Sequence, residues 1–278
     1  MTLDRYGVFG HPIGHSRSPE IHGRFAAQTR QALDYRAYEV PLEALDDALK
    51  SFRAAGGRGL NCTLPLKEEV LKHCSRLSES ARRCGAVNTL TLGHDGLWWG
   101  DNTDGLGLVR DLTLNLGIPI QGQRLLILGA GGATRGLLAP LFEAGAASVW
   151  IANRTPERAA LLVQEASSLG PLRASGFDTL QGAQFDLVLN ATAASLSGVL
   201  PPLPDGLLSE GGCCYDLAYA KVPTPFVRWG QSQGARSSAD GIGMLVEQAA
   251  ESFWIWRGIR PETAPVIEAL CGGSRLLL

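Results

Sequence analysis

A short apolar run that empties into a glycine-rich turn is the feature that most narrows what this chain can become. Arg124-Leu-Leu-Ile-Leu128 leads at once into Gly129-Ala-Gly-Gly-Ala133, and a helix-like segment follows. Glycines at 129, 131 and 132 let the backbone turn tightly and come close to a pyrophosphate. The N-terminus of the next helix offers that anion free N–H groups and the positive end of its dipole. Strand, turn and helix in this order predict the opening of a dinucleotide-binding βαβ unit, with Gly129, Ala130, Gly131, Gly132 and Ala133 against the cofactor. Thr134 departs from the common fingerprint, standing where its third glycine usually falls.

The next strand, Ser148–Ala152, ends in Asn153-Arg154-Thr155, with Arg158 one helical turn on. A carboxylate at this place would bind two ribose hydroxyls and repel a 2′-phosphate. Arginine instead presents a fork of donors that matches phosphate, and its plane can stack on adenine. Asn153, Arg154, Thr155 and Arg158 therefore predict NADP rather than NAD.

The turn sits near mid-chain, so the residues before it need their own explanation. Helix-like and strand-like segments alternate there too. Strands are expected at 6–10, 35–40, 59–63, 88–92 and 97–100, and helices at 19–29, 42–55 and 67–74. After a helix over 106–116 the nucleotide half has strands at 124–128, 148–152, 185–189, 212–217 and 235–238 and a helix at 157–169. Two apolar helices close the chain, one from Gly241 and one over 261–270, before a tail from Gly272 that is expected to fray. Alternation of this kind predicts an α/β fold with largely parallel sheets. The expected arrangement is an N-terminal α/β substrate domain over 1–104, completed by the C-terminal helices of 241–278. A Rossmann-like NADP-binding domain fills 105–240, with a cleft between the two where small-molecule sites concentrate. Thirty-four glycines among 278 residues suit the many tight turns of such a fold.

The first half places polar side chains after successive strands. Gly10-His-Pro-Ile-Gly-His-Ser-Arg-Ser-Pro19 sets Ser16 and Ser18 just before a helix, and a serine before proline is a natural N-cap. Two hydroxyls near a helix N-terminus also suit an anion such as a carboxylate. Thr63 and Lys67 follow one strand, Asn88 opens another, and Asp101-Asn-Thr-Asp104 follows a third. A lone lysine or aspartate is by default surface decoration; the joint pattern suits a polyhydroxylated acid.

Other classes are excluded more simply. A net charge of −2 makes no electrostatic case for nucleic acid or an anionic membrane. No apolar run approaches the roughly 20 residues of a membrane span, and Met1-Thr-Leu-Asp-Arg-Tyr6 has no apolar signal region, so a cytoplasmic protein is expected. Six cysteines without C-x-x-C spacing point to reduced thiols. His11, His15 and His22 match no zinc spacing, and no metal is expected. The pair Trp98-Trp99 should split across a strand, one ring in the core and one on the opposite face.

These residues carry a resemblance. Ser16-x-Ser18-Pro-x-x-His22, Asn61-x-Thr63-x-Pro-x-Lys67, Gly85-Ala-Val-Asn88-Thr, Asp101-Asn-Thr-Asp104-Gly, Gly129-Ala-Gly-Gly-Ala, Asn153-Arg-Thr, Tyr215-Asp-Leu-x-Tyr219 and Gly243-Met-Leu-Val-x-Gln248-Ala-Ala run in order over nearly the whole chain. Together they resemble the shikimate dehydrogenase family. The resemblance implies reversible NADP-linked interconversion of 3-dehydroshikimate and shikimate, in aromatic amino-acid biosynthesis, by a monomer or homodimer. It implies that Ser16 and Ser18 hold the substrate carboxylate with Tyr219 nearby, and that Thr63, Asn88, Asp104 and Gln248 bind ring hydroxyls. Lys67 and Asp104 stand at the reacting centre, Lys67 as general acid in reduction and general base in oxidation. Thr192, Gly241 and Met244 lie on the cofactor side.

Three positions depart from the family pattern: Gly23 stands where Asn is common, Cys62 where Val is common, and Ala193-Ala-Ser195 where Ser and Gly are common. None touches a proposed catalytic group. The alternative is a quinate/shikimate dehydrogenase with relaxed substrate or cofactor use; Asn153-Arg154 and Ser18 argue against it, since related quinate enzymes often carry Thr at the latter.

Overall fold

The computed structural model describes residues 3–271, so the tail expected to fray lies outside the described residues. The chain divides into two compact units. One runs through Gly107 and adds Val246–Val266; the other holds Leu108–Leu245 and the chain from Ile267. The C-terminal stretch read as one piece, 241–278, is thus shared between the two units.

The first unit contains β1 (Asp4–Gly10), α1 (Ser18–Thr29), β2 (Leu33–Glu39), α2 (Leu45–Ala54), β3 (Gly57–Cys62), β4 (Cys74–Leu77), α3 (Glu79–Cys84), β5 (Thr89–Leu92), β6 (Trp98–Asp101) and the start of α4 (Asp104–Arg110). Its strands form one sheet in the order β2-β1-β3-β5-β6-β4. The sheet is mixed rather than parallel: β5 runs antiparallel to both β3 and β6. The cause is local. Gly93 to Leu97 is too short for a crossover helix and closes as a hairpin, with the Gly93 N–H donating to the Leu97 carbonyl at 2.9 Å.

The helix expected over 67–74 is instead a 3₁₀ turn at Glu69–His73 that runs into β4. Pairing with β6 satisfies the backbone groups of Cys74–Leu77, which a short helix would have left open at both ends. A helix absent from the sequence reading, α3, follows. The Ser78 hydroxyl caps it by accepting the Ala81 N–H at 3.1 Å. As expected, Trp98 is buried, whereas Trp99 is exposed on the other face with the Arg76 guanidinium 4.9 Å from its ring centroid.

Both faces of this sheet are covered. Phe9, Leu60, Leu90 and Trp98 pack with Leu45, Leu49 and Phe52 of α2. The other face packs aromatic side chains of α1 and of a long helix described below. Gly59 lies under the Trp256 indole, where an added Cβ would come within 2.5 Å of Nε1. On this face His22, Phe25, Tyr35, Phe253 and Trp256 form one cluster, with His22 stacked on Tyr35 at 4.1 Å between centroids. His22 is fully buried, and neither ring nitrogen makes a hydrogen bond of normal geometry. Burial lowers its pKa to about 3.

A stability prediction follows from that shift. Below about pH 6.5 the unfolded chain protonates His22, while the folded chain keeps it neutral down to about pH 3. The stability held by the neutral ring is therefore whole above about pH 6.5 and is lost as pH falls, by up to about 1.4 kcal/mol per pH unit. His22→Phe should flatten the decline of Tm between pH 6.5 and 4 relative to the parent. Parallel declines in thermal melts would contradict it.

The second unit begins with the rest of α4, which runs into a π-helical turn at Asp111–Asn115. It continues with β7 (Arg124–Leu128), α5 (Gly132–Glu143), β8 (Ser148–Ala152), α6 (Pro156–Glu165), β9 (Leu172–Ser175), β10 (Phe185–Asn190), β11 (Leu208–Asp216), α7 (Pro225–Ser232) and β12 (Ser237–Asp240). All six strands are parallel, in the order β12-β11-β10-β7-β8-β9. Chain order reverses between β7 and β10, and ligands of open α/β sheets bind outside the strand ends at such a switch.

Alternation along β7 divides the core. Leu125 and Ile127 pack with Leu137, Leu138 and Leu141 of α5, while Leu126 and Leu128 pack with Phe226 and Trp229 of α7. Coverage on both faces is why this strand reads as an unbroken apolar run. Strand β9 and helix α7 were not expected from the sequence, although Thr224-Pro225 is a readable helix start: the Thr224 hydroxyl accepts the Val227 N–H at 3.2 Å. Helix α8 (Ile242–Arg257) carries the chain back into the first unit, and α9 (Ala264–Cys271) follows. Among the described residues no helix is long and apolar enough to cross a membrane, and all six cysteines are free.

Candidate active site

In the first unit four predicted residues are joined by hydrogen bonds. The Lys67 ammonium meets Asp104 Oδ2 at 2.5 Å, and the Asn88 amide donates to Asp104 Oδ1 at 2.8 Å. The same amide lies 3.4 Å from Gln248 Oε1 on α8. Sequence distance is bridged by the sheet. Asn88 precedes β5, Asp104 follows β6, and the Asn88 N–H bonds the Asp101 carbonyl at 3.0 Å, which locks the two strand ends together. Lys67 is drawn in by its own carbonyl, which accepts the Val87 N–H at 2.8 Å.

Both carboxylate oxygens of Asp104 are therefore engaged, one by a cation and one by an amide. Charge-assisted bonds of this kind are short and about twice as strong as neutral ones. The lysine and aspartate side chains keep 27% and 19% of their surface exposed, so the pair is held yet open to a small molecule. Such an arrangement can hold a polar group beside a lysine that gives a proton as ammonium or takes one as amine.

Ser16 lies between β1 and α1, Ser18 is the first residue of α1, and Thr63 follows β3. Ser18 is not the N-cap its place before proline suggested. Helix α1 begins at Ser18 itself, and the hydroxyl facing the helix start is that of Ser16, which accepts the Ser18 N–H at 3.3 Å. The Ser16 N–H bonds the Ile13 carbonyl, so the turn closes earlier than expected. Thr63 packs on Gly10, where an added Cβ would meet its Cγ2 at 2.5 Å. Tyr219 follows β11 and belongs to the second unit.

The remaining predicted residues cluster at the carboxyl edge of the second unit's sheet. Gly129 has φ +103°, a conformation that favours glycine, and an added Cβ would lie 3.2 Å from the Ala191 backbone and Thr192 Cγ2. Ala130 is half-buried, and Gly131, Gly132 and Ala133 are exposed. At Gly131 an added Cβ would meet nothing within 4 Å, so the start of α5 is open to a phosphate. Thr134, the departure from the fingerprint, is fully buried and donates its hydroxyl proton to the Gly129 carbonyl at 2.7 Å. It closes the turn that glycine would leave loose. Thr134→Val orphans that carbonyl and should cost about 1–3 kcal/mol. Denaturant unfolding measures this, and an unchanged midpoint would contradict it.

At the end of β8 the Asn153 amide donates to the Thr155 carbonyl at 2.9 Å. Arg154, Thr155 and Arg158 are exposed, and among the described residues no side chain pairs with either guanidinium. Thr192 follows β10, its hydroxyl on Asn190 Oδ1 at 2.7 Å. Gly241 follows β12, where an added Cβ would fall 2.2 Å from the Leu217 carbonyl oxygen, so only glycine fits. The Met244 N–H reaches the Tyr215 hydroxyl at 3.4 Å, and that hydroxyl donates to Asp111 at 2.7 Å.

The sequence matches three family models: the shikimate dehydrogenase substrate binding domain over residues 8–90, shikimate / quinate 5-dehydrogenase over 113–199, and the shikimate 5′-dehydrogenase C-terminal domain over 241–271. It is 59% identical to the shikimate dehydrogenase (NADP(+)) of Methylococcus capsulatus, covering 96% of each chain. The chain belongs to the shikimate dehydrogenase family. The corresponding protein of Alkalilimnicola ehrlichii is 57% identical over 96% of this chain and 98% of that one. Among solved structures, shikimate 5-dehydrogenase from Thermus thermophilus in complex with NADP(H) and shikimate is 38% identical. It superposes with a TM-score of 0.86, covering 98% of this chain and all of that one.

Several buried polar groups in each unit carry no role in the sequence reading. Asp216, fully buried at the end of β11, accepts from Asn190, Ser195, Thr224 and the Ala218 N–H. Burial raises its pKa, and those four donors pull it back. In the first unit Asn61, Thr89, Thr103 and Ser252 form a buried hydrogen-bonded group around Asn88. Asn61, Thr89 and Thr103 stood inside the motifs quoted above, but an alternating strand pattern says only which face they occupy, not what they touch.

Proposed function

We propose that this protein is an NADP-dependent shikimate dehydrogenase, interconverting 3-dehydroshikimate and shikimate. The observation that carries the reading is the Lys67–Asp104 pair, held open to solvent and braced by Asn88 and Gln248, in a chain of this family. Ser16 and Ser18 take the substrate carboxylate, with Tyr219 near it; Thr63, Asn88, Asp104 and Gln248 take the ring hydroxyls.

NADP is held by the turn of Gly129, Ala130, Gly131, Gly132 and Ala133, by Asn153, Arg154, Thr155 and Arg158, and by Thr192, Gly241 and Met244. The open start of α5 and two uncompensated guanidiniums fit its pyrophosphate and 2′-phosphate. When bound, the nicotinamide supplies or accepts the hydride. The rest falls to this chain. Reduction of the ketone builds negative charge on oxygen, and the Lys67 ammonium donates a proton to it. In oxidation the neutral Lys67 amine takes the hydroxyl proton back. Asp104 orients both the lysine and the hydroxyl, and Asn88 holds Asp104 in register. The free thiols suit a reducing compartment, and we place the protein in the cytoplasm.

The test is NADPH formation from shikimate and NADP+, followed by absorbance, with quinate and NAD+ in parallel. Fast turnover of shikimate with NADP+ is expected; an intact protein that leaves shikimate untouched defeats the reading.

A further inference from the structure

A single buried hydroxyl on α8, that of Ser252, connects the substrate-side cluster to the sheet beneath it. Its surroundings are dry and polar: Ser252 and Thr89 are essentially unexposed, as are Thr103, Asn88 and Asn61. The bonds among them converge on Asn88. The Thr103 N–H donates to Asn88 Oδ1 at 2.9 Å, so that oxygen is an acceptor and the amide orientation of Asn88 is determined. The Thr89 hydroxyl lies 2.8 Å from the same oxygen, within reach to donate to it.

Ser252 lies 2.8 Å from Thr89, where either hydroxyl can donate, and its own proton also reaches the Gln248 carbonyl at 3.1 Å. The Ser252 oxygen accepts from the Asn61 amide at 3.0 Å. Asn61 in turn accepts from the Tyr35 hydroxyl at 2.7 Å. A continuous set of hydrogen bonds thus runs from Tyr35 through Asn61, Ser252 and Thr89 to Asn88, whose amide donates to Asp104. Of these residues only Ser252 comes from α8, one turn after Gln248.

We propose that Ser252 is a positioning residue for substrate binding. Its hydroxyl ties the turn of α8 carrying Gln248 to Asn61 of β3 and Thr89 of β5, and so holds Asn88 and Gln248 in register. The inference rests on the reading that Asn88 faces the substrate. Without the Ser252 hydroxyl, Thr89 and the Asn61 amide each lose a partner, and the Thr89 side chain that meets Asn88 Oδ1 loses a restraint. Buried polar chains of this kind fail as a unit rather than bond by bond.

The experiment is a double-mutant cycle of Ser252→Ala and Asn88→Ala, read as KM for shikimate, KM for NADP+ and kcat. Ser252→Ala alone should raise the shikimate KM about five- to tenfold, the scale of one or two buried hydrogen bonds, with the NADP+ KM unchanged. In the Asn88→Ala background it should raise it no more than about twofold, because its effect passes through Asn88. A lower Tm with an unchanged shikimate KM, or a full independent increment in the Asn88→Ala background, overturns the positioning role. If Asn88→Ala itself leaves the shikimate KM unchanged, the site reading fails and this proposal with it. Should the alanine variant not fold, Ser252→Cys, which keeps a side chain in place but donates weakly, is read by the same criteria.

Discussion

Lys67→Ala is expected to lower kcat by about 10²–10⁴-fold, the usual contribution of a positioned acid or base, with only a modest change in the shikimate KM. The asymmetry follows from geometry. Lys67 meets Asp104 at 2.5 Å, and Asp104 has a second brace in Asn88, so much of the binding surface survives the loss of the ammonium. What disappears is the proton that must reach the developing alkoxide, a need felt in the transition state and hardly in the ground state. Pre-steady-state and steady-state kinetics in both directions separate the chemical step from release. A variant with normal kcat removes the acid–base role altogether. If instead the electrostatic field of the ammonium is what matters and water delivers the proton, Lys67→Arg recovers a large part of kcat, because guanidinium keeps the charge but does not give up its proton.

Arg154→Ala is expected to raise the KM for NADPH about 10- to 100-fold and to leave that for NADH within about twofold. A hydrogen bond to a charged group contributes about 1.5–3 kcal/mol, which is that range of affinity. The guanidinium is exposed, so the lower part of the range applies at physiological ionic strength. Among the described residues no carboxylate pairs with it, which makes the effect specific: no such ion pair has to break before phosphate binds. Arg158 stands beside it and should moderate the loss. Equal losses for the two cofactors would mean that Arg154 does not read the 2′-phosphate.

The nucleotide half was the more legible of the two. A strand buried on both faces, a glycine turn and a helix start are set by contacts only a few residues apart, and each leaves its mark on local composition. Its failures were of the same local kind: β9 is four residues long, and α7 announced itself only through Thr224-Pro225. In the first half, the segment after Lys67 carried apolar residues compatible with a helix. Pairing with β6, twenty and more positions later, turned its end into β4. Nonlocal partners of this kind leave no periodicity to read.

The sequence by itself determined the chemistry available: which hydroxyls, amides, lysine and carboxylates exist, that the turn at Gly129 can take a phosphate, and that arginine rather than a carboxylate follows β8. Only the tertiary structure decided which of them act together. Residues 67, 88, 104 and 248 meet because β3, β5 and β6 are hydrogen-bonded neighbours and α8 returns to their sheet. Thr134 replaces a glycine without loss because its hydroxyl finds the Gly129 carbonyl. Ser252, unremarkable in the sequence, gains its place because α8 packs its hydroxyl between Asn61 and Thr89. Composition and spacing specify donors and acceptors; their pairing and direction arise from three-dimensional packing.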